Sequence, residues 1–250
     1  MFGEVEVGDR KCYVSINGEA SHILIQAVDK HDLEGFEREV AQIKALSCDA
    51  SFMLVAFQIA DWNKELSPWE APAVFGKHDF GAGAGDTLAY ITETLLPHIE
   101  TTYPTRMPKR FYLGGYSLSG LFALWAAYQT NLFGGVAGVS PSVWFPKWER
   151  LMEENTIRVP YVYLSLGDRE EKTRNQAMAK VGDNIRRQYE LLCRQPSIKA
   201  CKLEWNPGNH FVDNDVRMAK GFAWLLRLQC GDSSAMIDTQ EGGKDGTHEF

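Results

Sequence analysis

Between Arg110 and Ala127 a short aromatic run, Phe111-Tyr112-Leu113, meets two glycines and then a helical pattern, with Ser117 at the junction. Leu118, Leu121, Phe122 and Trp125 recur at helical spacing, whereas Phe111 to Leu113 has the length and composition of a buried strand. A strand that turns at once into a helix holds its corner residue in strained backbone geometry, so the neighbours must be small. Gly115 stands two residues before Ser117, with Ser119 two after it and Gly120 next. The pattern is Gly-x-Ser-x-Ser-Gly, one step from the Gly-x-Ser-x-Gly of a nucleophile elbow. Ser119 does not fit the corner, because Ser117 would then occupy the position that needs Gly. The stretch alone supports two readings, a nucleophilic serine or a glycine-softened turn with an incidental serine.

The rest of the chain supplies the frame. Phe2 to Val7 and Lys11 to Ile16, joined around Gly8-Asp9-Arg10, predict an antiparallel hairpin. Ile23 to Val28 and Phe52 to Phe57 are buried-strand runs, separated by a helix over Leu33 to Leu46 with an apolar stripe. A long Trp-, Pro- and Gly-rich connection, Gln58 to Gly85, precedes a helix over Thr87 to Thr102 that Pro97 should bend or divide. After the elbow come a strand at Gly135 to Val139, a short helix at Trp144 to Met152 and a strand at Val159 to Leu166. A helix from Asn175 to Cys193, a strand from Lys199 to Trp205 and a last helix ending near Leu228 complete the pattern. A hairpin followed by alternating strands and helices predicts a mostly parallel sheet with helices on both faces. Residues 1–229 are expected to form a single domain, and the polar, aperiodic segment 230–250 a disordered tail.

Ligands of such sheets gather beyond the carboxyl ends of the strands, so residues just past each strand carry the weight. Ser117 follows the fifth strand, Gly167-Asp168-Arg169-Glu170-Glu171 the seventh, and Gly208-Asn209-His210-Phe211 the eighth. Serine, acid and histidine thus appear in the chain order of α/β-hydrolases. A serine hydroxyl is a weak nucleophile until a base takes its proton, and an acid must hold that base in the right tautomer. Of the six histidines only His210 stands at a strand end suited to this task; His78, in the long connection, is kept as a substrate contact. The acid is open among three carboxylates. Placement a few residues past the strand-ending Gly167 favours Glu170, with Glu171 and Asp168 as alternates. Two donors must face the developing oxyanion. One is the N–H of Leu118, and the other lies near Ala27, Val28 or Asp29, with Val28 the choice.

Composition closes off other classes. A net charge of −7 argues against a nucleic-acid surface, and no apolar run reaches membrane-spanning length. The acidic N-terminus lacks the features of a signal peptide. The five cysteines form no Cys-x-x-Cys pair, so neither a zinc site nor a disulfide framework is expected. A cytoplasmic location with free thiols is the expectation, with no metal or organic cofactor; the oligomeric state stays open.

With these residues in place the chain resembles the putative-esterase family of α/β-hydrolases, which includes esterase D and siderophore esterases. The resemblance runs from about Ile23 to Leu228. It rests on Gly-Gly-Tyr-Ser-Leu-Ser-Gly-Leu-Phe-Ala at the elbow, Val-Ser-Pro-Ser-Val-Trp-Phe after the next strand, Leu-Ser-Leu-Gly-Asp-Arg-Glu-Glu and Gly-Asn-His-Phe. It implies an α/β-hydrolase fold without a large inserted lid domain, and hydrolysis of a small-molecule carboxylic ester. Two departures stand out: Ser119 replaces a Gly, and Ala27-Val28 replaces the usual His-Gly. Trp62, Asn63 and Trp69 in the long connection, Tyr116 at the elbow and Trp144 after Ser142 are expected to contact substrate, the alternative being that these aromatics merely hold the loops down. The rival functions are acyl transfer through the same acyl-enzyme and a non-catalytic binding module.

Overall fold

A computed structural model describes residues 2–228 apart from Asp49 and Phe75. The segment 230–250, expected as a tail, lies outside the described residues. The strands are β1 (Gly3–Val7), β2 (Arg10–Asn17), β3 (His22–Val28), β4 (Phe52–Gln58), β5 (Arg110–Tyr116), β6 (Gly135–Val139), β7 (Tyr161–Gly167) and β8 (Ala200–Asn206). They form one eight-stranded sheet in the order β1-β2-β4-β3-β5-β6-β7-β8. The β1–β2 and β2–β4 pairs are antiparallel, and every later pair is parallel. The hairpin therefore extends one edge of a parallel sheet, as the α/β-hydrolase expectation requires.

The helices are α1 (Phe36–Leu46), α2 (Trp62–Glu65), α3 (Ala84–Tyr90), α4 (Leu96–Thr102), α5 (Leu118–Gln129), α6 (Trp148–Glu154), α7 (Gln176–Ala179), α8 (Val181–Arg194) and α9 (Asn214–Arg227). Phe36, Ile43, Met218, Phe222 and Leu225 of α1 and α9 bury against one face of the sheet with Leu24, Leu54 and Tyr112. On the other face Leu95, Ile99, Leu121, Trp148 and Ile185 pack over Ile23, Val55, Leu113 and Val162. Strands covered on both sides must be apolar throughout, which is why β4 and β6 read as unbroken runs. At the edge, β8 is only half-buried along most of its length.

The expected division at Pro97 occurs one turn earlier than the proline itself. Between α3 and α4 the chain opens into a π-helical turn, Ile91–Leu95, with Pro97 at the start of α4. The proline ring has no N–H and crowds the carbonyl four residues back, Glu93, so the wider turn relieves the clash where it arises. The helix expected from Trp144 begins only at Trp148. Phe145 precedes Pro146 and is disfavoured in helical geometry, and Lys147 adopts φ 69°. The helix expected from Asn175 to Cys193 is two helices meeting at Lys180. Cys193 and Cys201, distant from any motif, bring their sulfurs to 3.2 Å as free thiols. Among the described residues no helix is long and apolar enough to cross a membrane.

Candidate active site

Ser117 sits between β5 and α5 with φ 58° and ψ −121°, a conformation that side-chain-bearing residues rarely adopt. The corner is pinned from three sides. Ser117 N–H donates to Val139 O at 3.1 Å, while Ser117 O accepts from Leu121 N and from Ser142 N, both at 3.0 Å. The small residues around it follow from contact distances. A Cβ on Gly115 would lie 2.3 Å from Ser119, and one on Gly120 would lie 2.7 Å from Gly115 O. Ser119, the departure from the Gly-x-Ser-x-Gly pattern, is fully buried and donates from Oγ to Ala27 O at 2.9 Å. The extra hydroxyl ties the end of β3 to the elbow.

His210, in the loop after β8, places Nε2 3.0 Å from Ser117 Oγ and Nδ1 2.7 Å from Glu170 Oε2. Of the three candidate acids it is Glu170 that reaches the histidine. Asp168 instead accepts Gly208 N–H at 2.9 Å and holds the histidine loop against the acid loop. Glu171 points away and forms an ion pair with Arg186 at 2.8 Å. The second oxygen of Glu170 is held by Gly167 N–H and Ser140 Oγ, each at 2.7 Å, and by Arg217 Nη1 at 3.1 Å. Burial raises the Glu170 pKa, but the hydrogen bonds from His210, Ser140 and Gly167 outweigh it and hold the carboxyl below its ordinary value. The group is therefore an ionised acceptor for the histidine.

Arg217, on α9, was not legible as part of this arrangement. It is 2% exposed and reaches Tyr116 Oη, Ser140 Oγ and Glu170 Oε1 with one nitrogen, and Pro207 O and Asn209 O with the other. One guanidinium thus binds the acid and the backbone on both sides of Gly208. Tyr116 Oη adds a hydrogen bond to His210 O at 2.8 Å. The available signal was a charged residue within the buried run of α9, next to Met218 and one turn before Gly221, where a solvated charge has no place. Ser140 and Ser142 of the Val-Ser-Pro-Ser motif also gain roles, the first on Glu170 and the second 3.5 Å from Ser117 Oγ.

The oxyanion expectation rests on two backbone donors. As the first residue of α5, Leu118 has an N–H without an acceptor within the helix. At the end of β3, Val28 pairs with Gln58 in the parallel ladder and its carbonyl accepts from Ile59 N at 2.9 Å, while Asp29 N–H is taken by Asp32 Oδ2 at 3.0 Å. Val28 and Tyr116 line a cleft of about 480 Å³ together with Phe211 and residues of α1. Its lining includes neither Ser117 nor His210, nor the other expected substrate residues. Trp69 donates to Pro146 O at 2.8 Å and packs on Phe145, and Trp144 packs with Phe80 and Phe145. Asn63 donates to His78 O at 3.2 Å, and Trp62 packs against the core. These contacts pack the long connection against the loop before α6 and the core, and His78 is exposed at its surface. Among the described residues no group of three or more His, Cys, Asp or Glu side chains is arranged to hold a metal ion.

Comparison with known proteins supplies a family and a set of similar folds. The family model described as "Putative esterase" matches residues 32–209. An IroE-like serine hydrolase from Shewanella oneidensis is similar with a TM-score of 0.74 at 14% identity, over 89% of this chain and 79% of that one. The siderophore hydrolase EstA from Aspergillus nidulans gives 0.71 at 17% identity, over 91% of this chain and 94% of that one. The enterobactin esterase FES from Shigella flexneri gives 0.65 at 15% identity, over 92% of this chain and 60% of that one. At these identities the structures show a shared fold. No curated protein sequence matches at a significant level.

Proposed function

The chain belongs to the putative-esterase family and is a carboxylesterase-type hydrolase, and we propose that it cleaves a small-molecule ester through an acyl-enzyme on Ser117. The observation that carries this reading is the continuous relay from Ser117 Oγ through His210 to Glu170, at 3.0 Å and 2.7 Å. In the proposed reaction Ser117 Oγ attacks the ester carbonyl as His210 Nε2 takes its proton. Glu170, kept ionised, orients Nδ1–H and stabilises the imidazolium that forms. Leu118 N–H and the backbone at Val28 receive the negative charge on the carbonyl oxygen. His210 then returns its proton to the leaving alkoxide, so the alcohol departs and the acyl group remains on Ser117. Water, deprotonated by His210, attacks the acyl-enzyme; the acyl–Oγ bond breaks, His210 returns the proton to Ser117 Oγ, and the acid is released.

The strain at Ser117 supports the same reading. Backbone held in a rare region persists where the surroundings over-determine it, and here three backbone hydrogen bonds do so around one hydroxyl. The test is covalent. A fluorophosphonate probe should label the wild type stoichiometrically at Ser117, and Ser117→Ala should abolish both labelling and ester turnover. Retained ester hydrolysis in Ser117→Ala would refute the acyl-enzyme, and an unlabelled, inactive wild type would point to a non-catalytic binder.

A further inference from the structure

At the far edge of the sheet two thiols touch. Cys193 is the last residue but one of α8 and Cys201 the second of β8, and their sulfurs lie 3.2 Å apart. The turn that joins them is held at several points. Gln195 N–H donates to Leu192 O and Ile198 N–H to Gln195 O, both at 3.0 Å. The Gln195 side chain donates to Ile157 O at 2.6 Å and to Ser197 Oγ at 2.7 Å, and accepts from Ile157 N at 3.2 Å. On the strand side Lys199 N–H donates to Pro160 O at 2.8 Å, and Cys201 stands opposite Val162 of β7. Backbone on both sides of the pair is thus fixed, and the contact belongs to the native fold.

The two thiols differ in access. Cys193 is exposed, whereas Cys201 is half-buried, and burial, followed by the contact with Cys193, pushes the Cys201 thiol up to about 12. A reagent in solution therefore meets Cys193 first, with Cys201 held behind it as the second thiol. The location gives a bond between them something to do. β8 ends the sheet, is laddered to β7, and is only half-buried along most of its length. Edge strands of this kind are the first parts of a sheet to open.

We propose that Cys193 and Cys201 are a redox modification site, which a low-molecular-weight disulfide such as glutathione disulfide oxidises to one intramolecular disulfide that staples β8 to the end of α8. The Cys193 thiolate attacks one sulfur of the reagent, whose S–S bond breaks and releases a first glutathione. Cys201 then attacks Cys193 Sγ, the mixed disulfide breaks, and the second glutathione leaves with the proton that Cys201 gives up. Two protein thiols are oxidised and one glutathione disulfide is reduced to two thiols. The closed loop spans nine residues, 193–201, and its constraint falls on the unfolded chain.

The test uses the full chain, reduced, then incubated under native conditions with glutathione disulfide and quenched with iodoacetamide. Tryptic digestion of the wild type should give residues 188–194 linked to residues 200–202, from a species that runs as one chain on a non-reducing gel. Its melting temperature should rise by roughly 5 °C and return on addition of dithiothreitol. Cys201→Ser should stop at a glutathione adduct on Cys193, and Cys193→Ser should give no linked peptide. A wild type that stalls as that adduct, that does not react at either cysteine, or that links these peptides only between two chains overturns the proposal. An unchanged or lower melting temperature of the linked form overturns it as well. Ester turnover plays no part in these measurements, so their outcome is independent of the acyl-enzyme.

Discussion

Arg217 and His210 hold opposite sides of one carboxylate: the guanidinium donates to Glu170 Oε1 at 3.1 Å while His210 Nδ1 meets Oε2 at 2.7 Å. The Glu170 carboxylate is thereby held between groups that approach from the loop after β8 and from α9. The same guanidinium binds Pro207 O and Asn209 O, so the loop carrying the histidine is anchored to the group that orients it. Orientation of the His210 ring is in this way a property of α9 packing, and four expectations follow from the arrangement and its surroundings.

Replacing Glu170 separates the three carboxylates. Glu170→Gln should lower kcat by about three to four orders of magnitude, since a neutral amide no longer favours the productive tautomer of His210. Glu171→Gln loses only a surface ion pair and should stay within about threefold of wild type. Steady-state kinetics on one ester decides the matter; a larger loss in Glu171→Gln than in Glu170→Gln would assign the acid wrongly.

Arg217 is buried, and removing it leaves Glu170 and two carbonyls short of a partner. Arg217→Met should destabilise the fold by about 3–5 kcal/mol, read from denaturant unfolding. Arg217→Lys keeps the charge but loses the fork that reaches both loops. It should lower kcat more than it raises KM, because the histidine is misplaced rather than the substrate. A change confined to KM would remove the positioning role.

Ser119 tests the link between the elbow and β3. Ser119→Ala leaves Ala27 O without its side-chain donor and should cost about 1 kcal/mol of stability, measured by thermal unfolding. Because that bond ties the chain next to Val28 to the elbow, kcat should fall as well. Unchanged kcat would separate the β3 end from the oxyanion site.

Glu39 makes stability depend on pH, and the sign is set by its direction of shift. Burial is the main cause that raises its pKa to about 8 from the ordinary 4.5, with the Asp32 and Asp215 carboxylates adding to it. Between those values the folded chain keeps a proton that the unfolded chain releases, so this contribution is present at low pH and is lost as pH rises through that window. Asp32, pushed up to about 6, acts with the same sign over a narrower range. Glu39→Gln cannot ionise, so its melting temperature relative to wild type should increase from pH ~5 to pH ~8.5. A difference that stays constant across this range would mean that Glu39 is ionised in the folded chain throughout.

Much of this was legible in the chain because it is written in local order. The elbow is a strand, a corner and a helix in immediate succession, so Ser117 follows from the spacing of Gly115, Gly120 and the apolar stripe of α5. His210 follows from its place just beyond a strand. Element ends were less legible where a single residue decides them, as Pro146 does for the start of α6 and Pro97 for the π-helical turn.

Groups whose roles depend on distance in space were not legible. Asp168, Glu170 and Glu171 share one loop and one chemistry, and only the approach of Gly208, His210 and Arg186 assigns a partner to each. Trp69 of the long connection and Trp144 share a composition with pocket walls, and only the fold shows their partners, Phe80, Phe145 and the Pro146 carbonyl. The sequence by itself determined the sheet, the elbow and the histidine, since these need only neighbours along the chain. Tertiary structure decided which carboxylate meets His210 and how Arg217 braces it, because hydrogen bonds and desolvation act between groups that the chain keeps up to a hundred residues apart.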